Sequence, residues 1–258
     1  MTRIGCLFQK KQKAFVAYLT AGDPSPARTP ALVEALVRGG ADLIELGVPF
    51  SDPIADGPVI QRAGERALKA GTSLDTVLEI ARQIRTKSEV PILLFTYLNP
   101  VLRYGLDRLG HDAAAAGIDG CLLIDASVEE AESYVAAMQK HGLDNVFLVA
   151  PTSTRRRLEL VARYSSGFVY LVSRTGVTGE RDSLSNAVAP LIESVRAVTD
   201  LPIAVGFGIS KPEHVAELAP KVDGVVVGSA IVRIIEQNSP TLEADLENYA
   251  RSLKKALP

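Results

Sequence analysis

The sequence predicts an α/β protein of the (β/α)8 TIM-barrel class, a single domain over residues 1–258 with an extra helix ahead of the first strand. Three observations carry this expectation. Eight short runs rich in Val, Ile, Leu and Phe recur along the 258 residues, segments with helical spacing separate them, and no linker, repeat or composition shift divides the chain. Most of the runs are continuously apolar rather than alternating, as are strands covered on both faces of a parallel sheet. With 47% hydrophobic residues the chain can bury one large core, and about 250 residues is the usual length of such a barrel. A doubly wound open sheet is the alternative arrangement of the same alternation.

Taken in order, "RIGCLFQKKQ" (3–12) precedes the first apolar run and reads as the extra helix, closing the bottom of the barrel. "AFVAYLT" (14–20) is the first strand, "PALVEALVRGG" (30–40) a helix, and "DLIELGV" (42–48) the second strand. "SLDTVLEIARQIR" (73–85) has helical spacing and leads to the third strand, "PILLFTY" (91–97). The fourth strand is "DGCLLID" (119–125), followed by a helix over "VEEAESYVAAMQKHG" (128–142) and the fifth strand "NVFLVAP" (145–151). "GFVYLVS" (167–173), "PIAVGFG" (202–208) and "DGVVVGS" (223–229) complete the set, with a helix over "VAPLIESVRAV" (188–198) and a terminal one over "LEADLENYARSLKKAL" (242–257). Several helices stop at glycine just before the next strand, in "RGGAD", "AAGIDG" and "KHGLD", as helices ended by a left-handed residue do.

Composition narrows the function. The net charge is −2, and the basic residues are scattered apart from "KKQK" (10–13) and "RRR" (155–157). Nucleic-acid binding needs a concentrated basic face, so both runs read as solvated helix surface. Cys6 and Cys121 form no close pair and have apolar neighbours, which predicts buried reduced thiols and a cytoplasmic location. The N-terminus is too polar for a secretory signal core, and no apolar run of about 18 residues is present for a membrane span.

In this fold the active site lies at the C-terminal ends of the strands and in the loops after them. Alternation in "DLIELGV" sets Leu43, Glu45 and Gly47 on one face and Ile44, Leu46 and Val48 on the other. If the apolar set faces the helices, Glu45 points into the upper barrel, where partial desolvation raises its pKa toward neutrality. From the residues alone, a structural carboxylate bonded by a tyrosine or backbone amide is an equal reading. The loop that follows, "PFSDPIADGP", holds Asp52 and Asp56 in strong turn-forming contexts, so capping of turns competes with catalysis for both. After the sixth, seventh and eighth strands come "SRTGVTGERDSLSN", "GFGISKPEH" and "GSAIVRIIE". Three glycine-bearing turns at adjacent strand ends, one opening a helix, are the arrangement in which such barrels bind phosphate. None of the eight runs carries a lysine for Schiff-base chemistry, and His111, His141 and His214 show no metal-ligand spacing. Nucleophile-elbow and P-loop motifs are also missing. What remains is proton transfer by carboxylates on a phosphate monoester, without cofactor or metal.

The stretches "YLTAGDP" (18–24), "IELGVPFSDPIADGPVIQRA" (44–63), "LVAPTS" (148–153), "VSRTGVTG" (172–179), "VGFGIS" (205–210) and "GSAIV" (228–232), in this order, closely resemble the tryptophan synthase α-subunit family, over residues 5–250. The resemblance implies a lyase that splits indole-3-glycerol phosphate by retro-aldol reaction in tryptophan biosynthesis, working with a β subunit in an α2β2 complex. It implies that Glu45 shuttles protons and that Asp56 bonds the indole N–H. It further matches Tyr170, Phe207 and Tyr97 to the substrate pocket, Thr178 to a loop threonine that meets Asp56 on closure, and Gly179, Gly208, Gly228 and Ser229 to the phosphate turns. The polar loop holding Gly176, Gly179, Arg174 and Arg181 is then a candidate lid. Leu98, Ala126 and Ser127 depart from the family pattern near the surface that meets the β subunit. A free-standing lyase and a weakly catalytic subunit that activates a β subunit are the other readings, and a phosphosugar isomerase would leave the 44–63 signature without a role.

Overall fold

The computed structural model describes residues 2–10, 12–172, 184–206 and 208–258, without the side chains of residues 184–187. Among these residues nine parallel strands form one sheet: β1 (Ala14–Thr20), β2 (Leu43–Gly47), β3 (Ile92–Thr96), β4 (Gly120–Leu123), β5 (Asp144–Val146), β6 (Leu148–Val149), β7 (Val169–Val172), β8 (Ile203–Gly206) and β9 (Gly224–Val227). Their order is β5-β4-β3-β2-β1-β9-β8-β7-β6. The two ends of that order are separated in the chain by Phe147 alone, so one segment joins both edges and the sheet curls into a barrel. The single strand expected over 145–151 is thus divided at the seam, where β5 pairs with β4 and β6 with β7. Across the seam the Tyr170 N–H donates to the Phe147 carbonyl (3.1 Å) and the Ser166 N–H to that of Asn145 (2.8 Å).

α1 (Arg3–Gln9) precedes the first strand, and helices α2 (Thr29–Arg38), α3 (Pro58–Lys69), α4 (Leu74–Arg85), α5 (Leu98–Tyr104), α6 (Leu106–Ala115), α7 (Glu132–Lys140), α8 (Arg155–Tyr164), α9 (Leu184–Arg196), α10 (Pro212–Leu218), α11 (Ser229–Gln237) and α12 (Leu242–Lys254) cover the outside. None, among the described residues, is long and apolar enough to cross a membrane. The helix expected from residue 128 starts later. The Glu130 and Ala131 N–H groups bond carbonyls three residues back, a tight turn over Val128–Glu130 that the α-helix does not continue.

Strand parity sorts the core into two layers. Phe15, Ala17, Leu19, Ile44, Leu46, Leu94 and Val225 pack outward against the helices. Val16, Leu43, Leu93, Val146, Phe168 and Val226 fill the barrel interior. Each such fully buried Val, Leu, Ile or Phe side chain contributes roughly 1.5–3 kcal/mol of transfer free energy. α1 closes the lower end as expected: Ile4 is completely buried in the interior cluster, and the Phe8 ring lies 5.5 Å from that of Phe168. Thr2 caps this helix by accepting the Gly5 N–H (3.0 Å), and Arg3 pairs with Asp119 (3.1 Å), whose carboxylate also takes the Ile92 N–H and Arg85. Cys6, expected to be buried, is exposed, because the face of α1 that carries Ile4 turns the cysteine away from the barrel; Cys121 is buried, and both are unpaired. The plugged bottom leaves the upper mouth, at the C-terminal strand ends, as the place for a cavity.

Candidate active site

Glu45 sits on β2, beside Tyr18 on β1 and Leu93 on β3 in the ladder register. Its residue exposure is 1%, and neither carboxyl oxygen has a hydrogen-bond partner among the described residues. The bonds that a structural carboxylate would need from a tyrosine or an amide are therefore not among those described. Burial, by disfavouring the charged form, pushes this carboxyl up to about 8, so it is protonated near neutral pH.

Two tyrosines share its layer. The Tyr18 hydroxyl pairs with Thr20 Oγ1 at 3.3 Å, and burial, helped by nearby Asp56, raises its phenol far above the usual range. Tyr170 is raised likewise, by burial first and by Glu45 second, so both rings keep their protons. Each leans over a glycine of the adjacent strand, because a Cβ at Gly47 would overlap the Tyr18 hydroxyl and one at Gly206 that of Tyr170. These two glycines admit the rings.

The loop after β2 carries the second acid. The Tyr97 hydroxyl donates to Asp56 Oδ2 (3.0 Å) and accepts the Ala55 N–H (3.1 Å), while Gln61 Nε2 donates to the Asp56 carbonyl (2.9 Å). Tyr97 is itself buried, with its ring 5.1 Å from Phe50, so the loop tip is held from below. Burial raises the Asp56 carboxyl to about 6, and the Tyr97 bond works against that rise. Asp52 stays outside, exposed, bonded by the Ser51 hydroxyl and with its carbonyl accepting the Ile54 N–H (2.9 Å), in keeping with a turn role.

Glu45 and Asp56 face one cavity of about 240 Å³. Phe95, Ile60, Ile124 and Val226 supply apolar wall, and Gly208, Ser210, Gly228 and Ser229 line it toward the ends of β8 and β9. Ser229 opens α11, whose first N–H groups lack intrahelical acceptors and carry the positive end of the helix dipole. That end suits an anion, and the other suits a flat apolar group with a polar edge.

Of the residues expected from sequence, Glu45, Asp56, Tyr170, Gly208, Gly228 and Ser229 line this cavity. Tyr97 stands behind Asp56 rather than on the wall. Thr178, Gly179 and Phe207 lie outside the described residues, as does the candidate lid around Gly176. Tyr18 and Arg233 are among the lining residues that sequence did not single out. Signals for both existed. Tyr18 has the inward parity of Val16, and Arg233 follows Ser229 by four residues, one turn along the same helix face.

An ion-pair network binds the two halves. Arg66 on α3 forks onto Asp23 after β1 (2.8 Å to each oxygen) and reaches Glu236 on α11 (3.0 Å), which also takes both donors of Arg62 (2.7 and 2.9 Å). The helix that follows the Asp56 loop is thereby tied to the helix that starts at the anion end. Among the described residues no group of three or more His, Cys, Asp or Glu side chains could hold a metal ion.

Comparison with known proteins places this geometry among relatives. Residues 6–257 match the family model described as tryptophan synthase alpha chain. The tryptophan synthase alpha chain of Solibacter usitatus is 78% identical over 261 residues, covering 99% of this chain and 98% of the relative. A structure of Mycobacterium tuberculosis tryptophan synthase superposes with a TM-score of 0.91 at 38% identity, covering 99% and 98% of the two chains. A chain from the Pyrococcus furiosus tryptophan synthase α2β2 complex superposes with a TM-score of 0.87 at 39% identity, covering 94% and 98%.

Proposed function

The chain belongs to the tryptophan synthase alpha chain family, and from this we infer that it cleaves indole-3-glycerol phosphate to indole and glyceraldehyde 3-phosphate as the α subunit of an α2β2 complex. The whole chain, 1–258, acts as one domain in the cytoplasm, where two unpaired thiols are at home. The observation that carries the reading is one cavity walled by two carboxyl groups, Glu45 pushed up to about 8 and Asp56 to about 6, with Gly208, Gly228 and the Ser229 helix start at its far end.

Those states assign the roles, since titratable pairs pushed apart by their surroundings mark acid and base. At pH 7 Asp56 is mostly ionised and accepts the indole N–H, which pushes electron density onto C3 of the ring. Glu45 is mostly protonated and delivers its proton to C3. The resulting Glu45 carboxylate takes the proton of the hydroxyl on the side-chain carbon bonded to the ring. That carbon becomes the aldehyde as the C–C bond breaks, and the bonding pair returns to the ring to regenerate indole. Burial of Glu45 makes it a donor in the first half and a strong acceptor in the second. Tyr97 positions Asp56, Tyr170 borders the substrate, and the turns at Gly208, Gly228 and Ser229 hold the phosphate, with Gly179, Thr178 and Phe207 assigned by family likeness.

Two exposed apolar side chains, Ile54 (85%) and Leu102 (56%), stand on segments leaving adjacent strands β2 and β3 at the mouth of the cavity, a surface fit for a β subunit. Leu98 opens the helix that carries Leu102, Ala126 and Ser127 follow the neighbouring strand β4, and all three tune that contact. The test is release of indole and glyceraldehyde 3-phosphate from indole-3-glycerol phosphate, with and without a β subunit. Cleavage that β accelerates supports the full reading. Cleavage with neither binding nor acceleration by β makes the chain a free-standing lyase, and activation of β without cleavage makes it a regulatory subunit.

A further inference from the structure

We propose that Arg233 supplies the cation that balances the phosphate dianion of the substrate, and so sets the preference for a phosphorylated over an unphosphorylated ligand. This rests on the retro-aldol reading above. A phosphate monoester carries about −1.5 to −2 charges at pH 7. The cavity already holds two carboxyl groups, and a helix N-terminus contributes only about half a positive charge. Among the described lining residues, Arg233 is the one cation.

Its geometry suits the task. Arg233 lies one turn past Ser229 on α11, and helical side chains point back toward the N-terminus. Its Nε donates to the Ser229 carbonyl at 3.3 Å, which folds the guanidinium over the first turn, beside Gly228 and Ser229. That is its only hydrogen bond among the described residues, and neither terminal amino group has a partner among them; the fork geometry of these two groups suits a bidentate contact with an anion. The natural intrahelical partner, Glu236 at i+3, is already occupied by Arg62 and Arg66. The turn after β8 is held next to this side chain, because the Tyr249 hydroxyl donates to the Ser210 carbonyl (2.8 Å) and Tyr249 lies within electrostatic reach of Arg233. The guanidinium thus closes the glycine and serine end of the cavity from the helix side.

The experiment compares the whole chain with its Arg233→Met and Arg233→Lys variants. It measures cleavage of indole-3-glycerol phosphate, inhibition by glycerol 3-phosphate and by indole, and calorimetric binding of glycerol 3-phosphate. In Arg233→Met, KM for the substrate and Ki for glycerol 3-phosphate rise about tenfold, equivalent to about 1.4 kcal/mol. In the same variant kcat changes by less than about threefold and Ki for indole is unmoved. Lysine restores part of the loss, and added salt weakens the wild-type chain more than Arg233→Met, as screening of a charge contact requires. Changes under about twofold in both constants, or an equal loss for indole, overturn the proposal. A wild-type chain that binds glycerol 3-phosphate in an Arg233-dependent way without cleaving the substrate supports the proposal for Arg233 while rejecting the retro-aldol reading.

Discussion

Glu45→Gln is expected to stabilise the protein at alkaline pH while abolishing indole release. Both carboxyl oxygens of Glu45 are buried and unpartnered among the described residues, and burial raises the group from 4.5 to about 8. Below pH 4.5 the folded and unfolded chains both hold the proton, and ionisation costs nothing. Between about 4.5 and 8 the folded state keeps a proton that the unfolded chain has released, so stability falls as pH rises and levels off above the folded value. At about 1.36 kcal/mol per unit, the rise corresponds to a ceiling on the order of 5 kcal/mol, and relaxation around a real buried charge reduces this to roughly 2–4 kcal/mol. Glutamine fills the same volume and bears its own desolvation penalty, but that penalty does not titrate. The difference between the two proteins at pH 8.5, less their difference at pH 4.5, therefore isolates the ionisation. Urea denaturation followed by circular dichroism at both pH values measures it, with Glu45→Gln gaining roughly 2–4 kcal/mol over wild type on the alkaline side. Indole release falls roughly 10²–10⁴-fold in the same variant, the usual contribution of a general acid–base. Parallel stability curves, within about 0.5 kcal/mol at both pH values, would refute the reasoning, since a carboxyl that costs nothing to ionise is not desolvated.

Tyr97→Phe removes the hydroxyl that bonds Asp56 Oδ2 and the Ala55 N–H; because that bond lowers the Asp56 pKa, its loss moves the acid limb of the kcat/KM profile to higher pH and cuts the rate at pH 7 roughly tenfold, a cost in line with one hydrogen bond to a charged group. An acid limb that stays in place would show that another group sets it. Gly206→Ala drives a methyl into the Tyr170 hydroxyl, so the ring must shift, and urea titration should register a loss of roughly 1–3 kcal/mol together with reduced turnover. Arg66→Met strips the fork from Asp23, a carboxylate with 1% exposure; a buried charge left alone costs roughly 3–5 kcal/mol, read as a lower midpoint in thermal or urea unfolding.

The chain itself carried the periodic features. Continuous apolar runs marked the strands within one or two residues because a strand covered on both faces has no polar side to display, and parity along "DLIELGV" already turned Glu45 away from Ile44 and Leu46. The turn-rich loop after it announced an overhang, and the glycine turns announced an anion end. Asp56 could be separated from Asp52 only by family likeness, since both sit in turn-forming contexts and nothing local says which one reaches Tyr97, 41 residues away in the chain. The break of the fifth strand at Phe147 was equally hidden, because it arises where one segment must pair with β4 on one side and β7 on the other. Tyr18 and Arg233 join the cavity only when β1, β2 and β9 are brought side by side. The working pKa of Glu45 was decided last of all. A sequence can put a carboxyl on the inward face of a strand, but the shift toward 8 comes from the removal of water around it, which is a property of the closed barrel and not of any one segment.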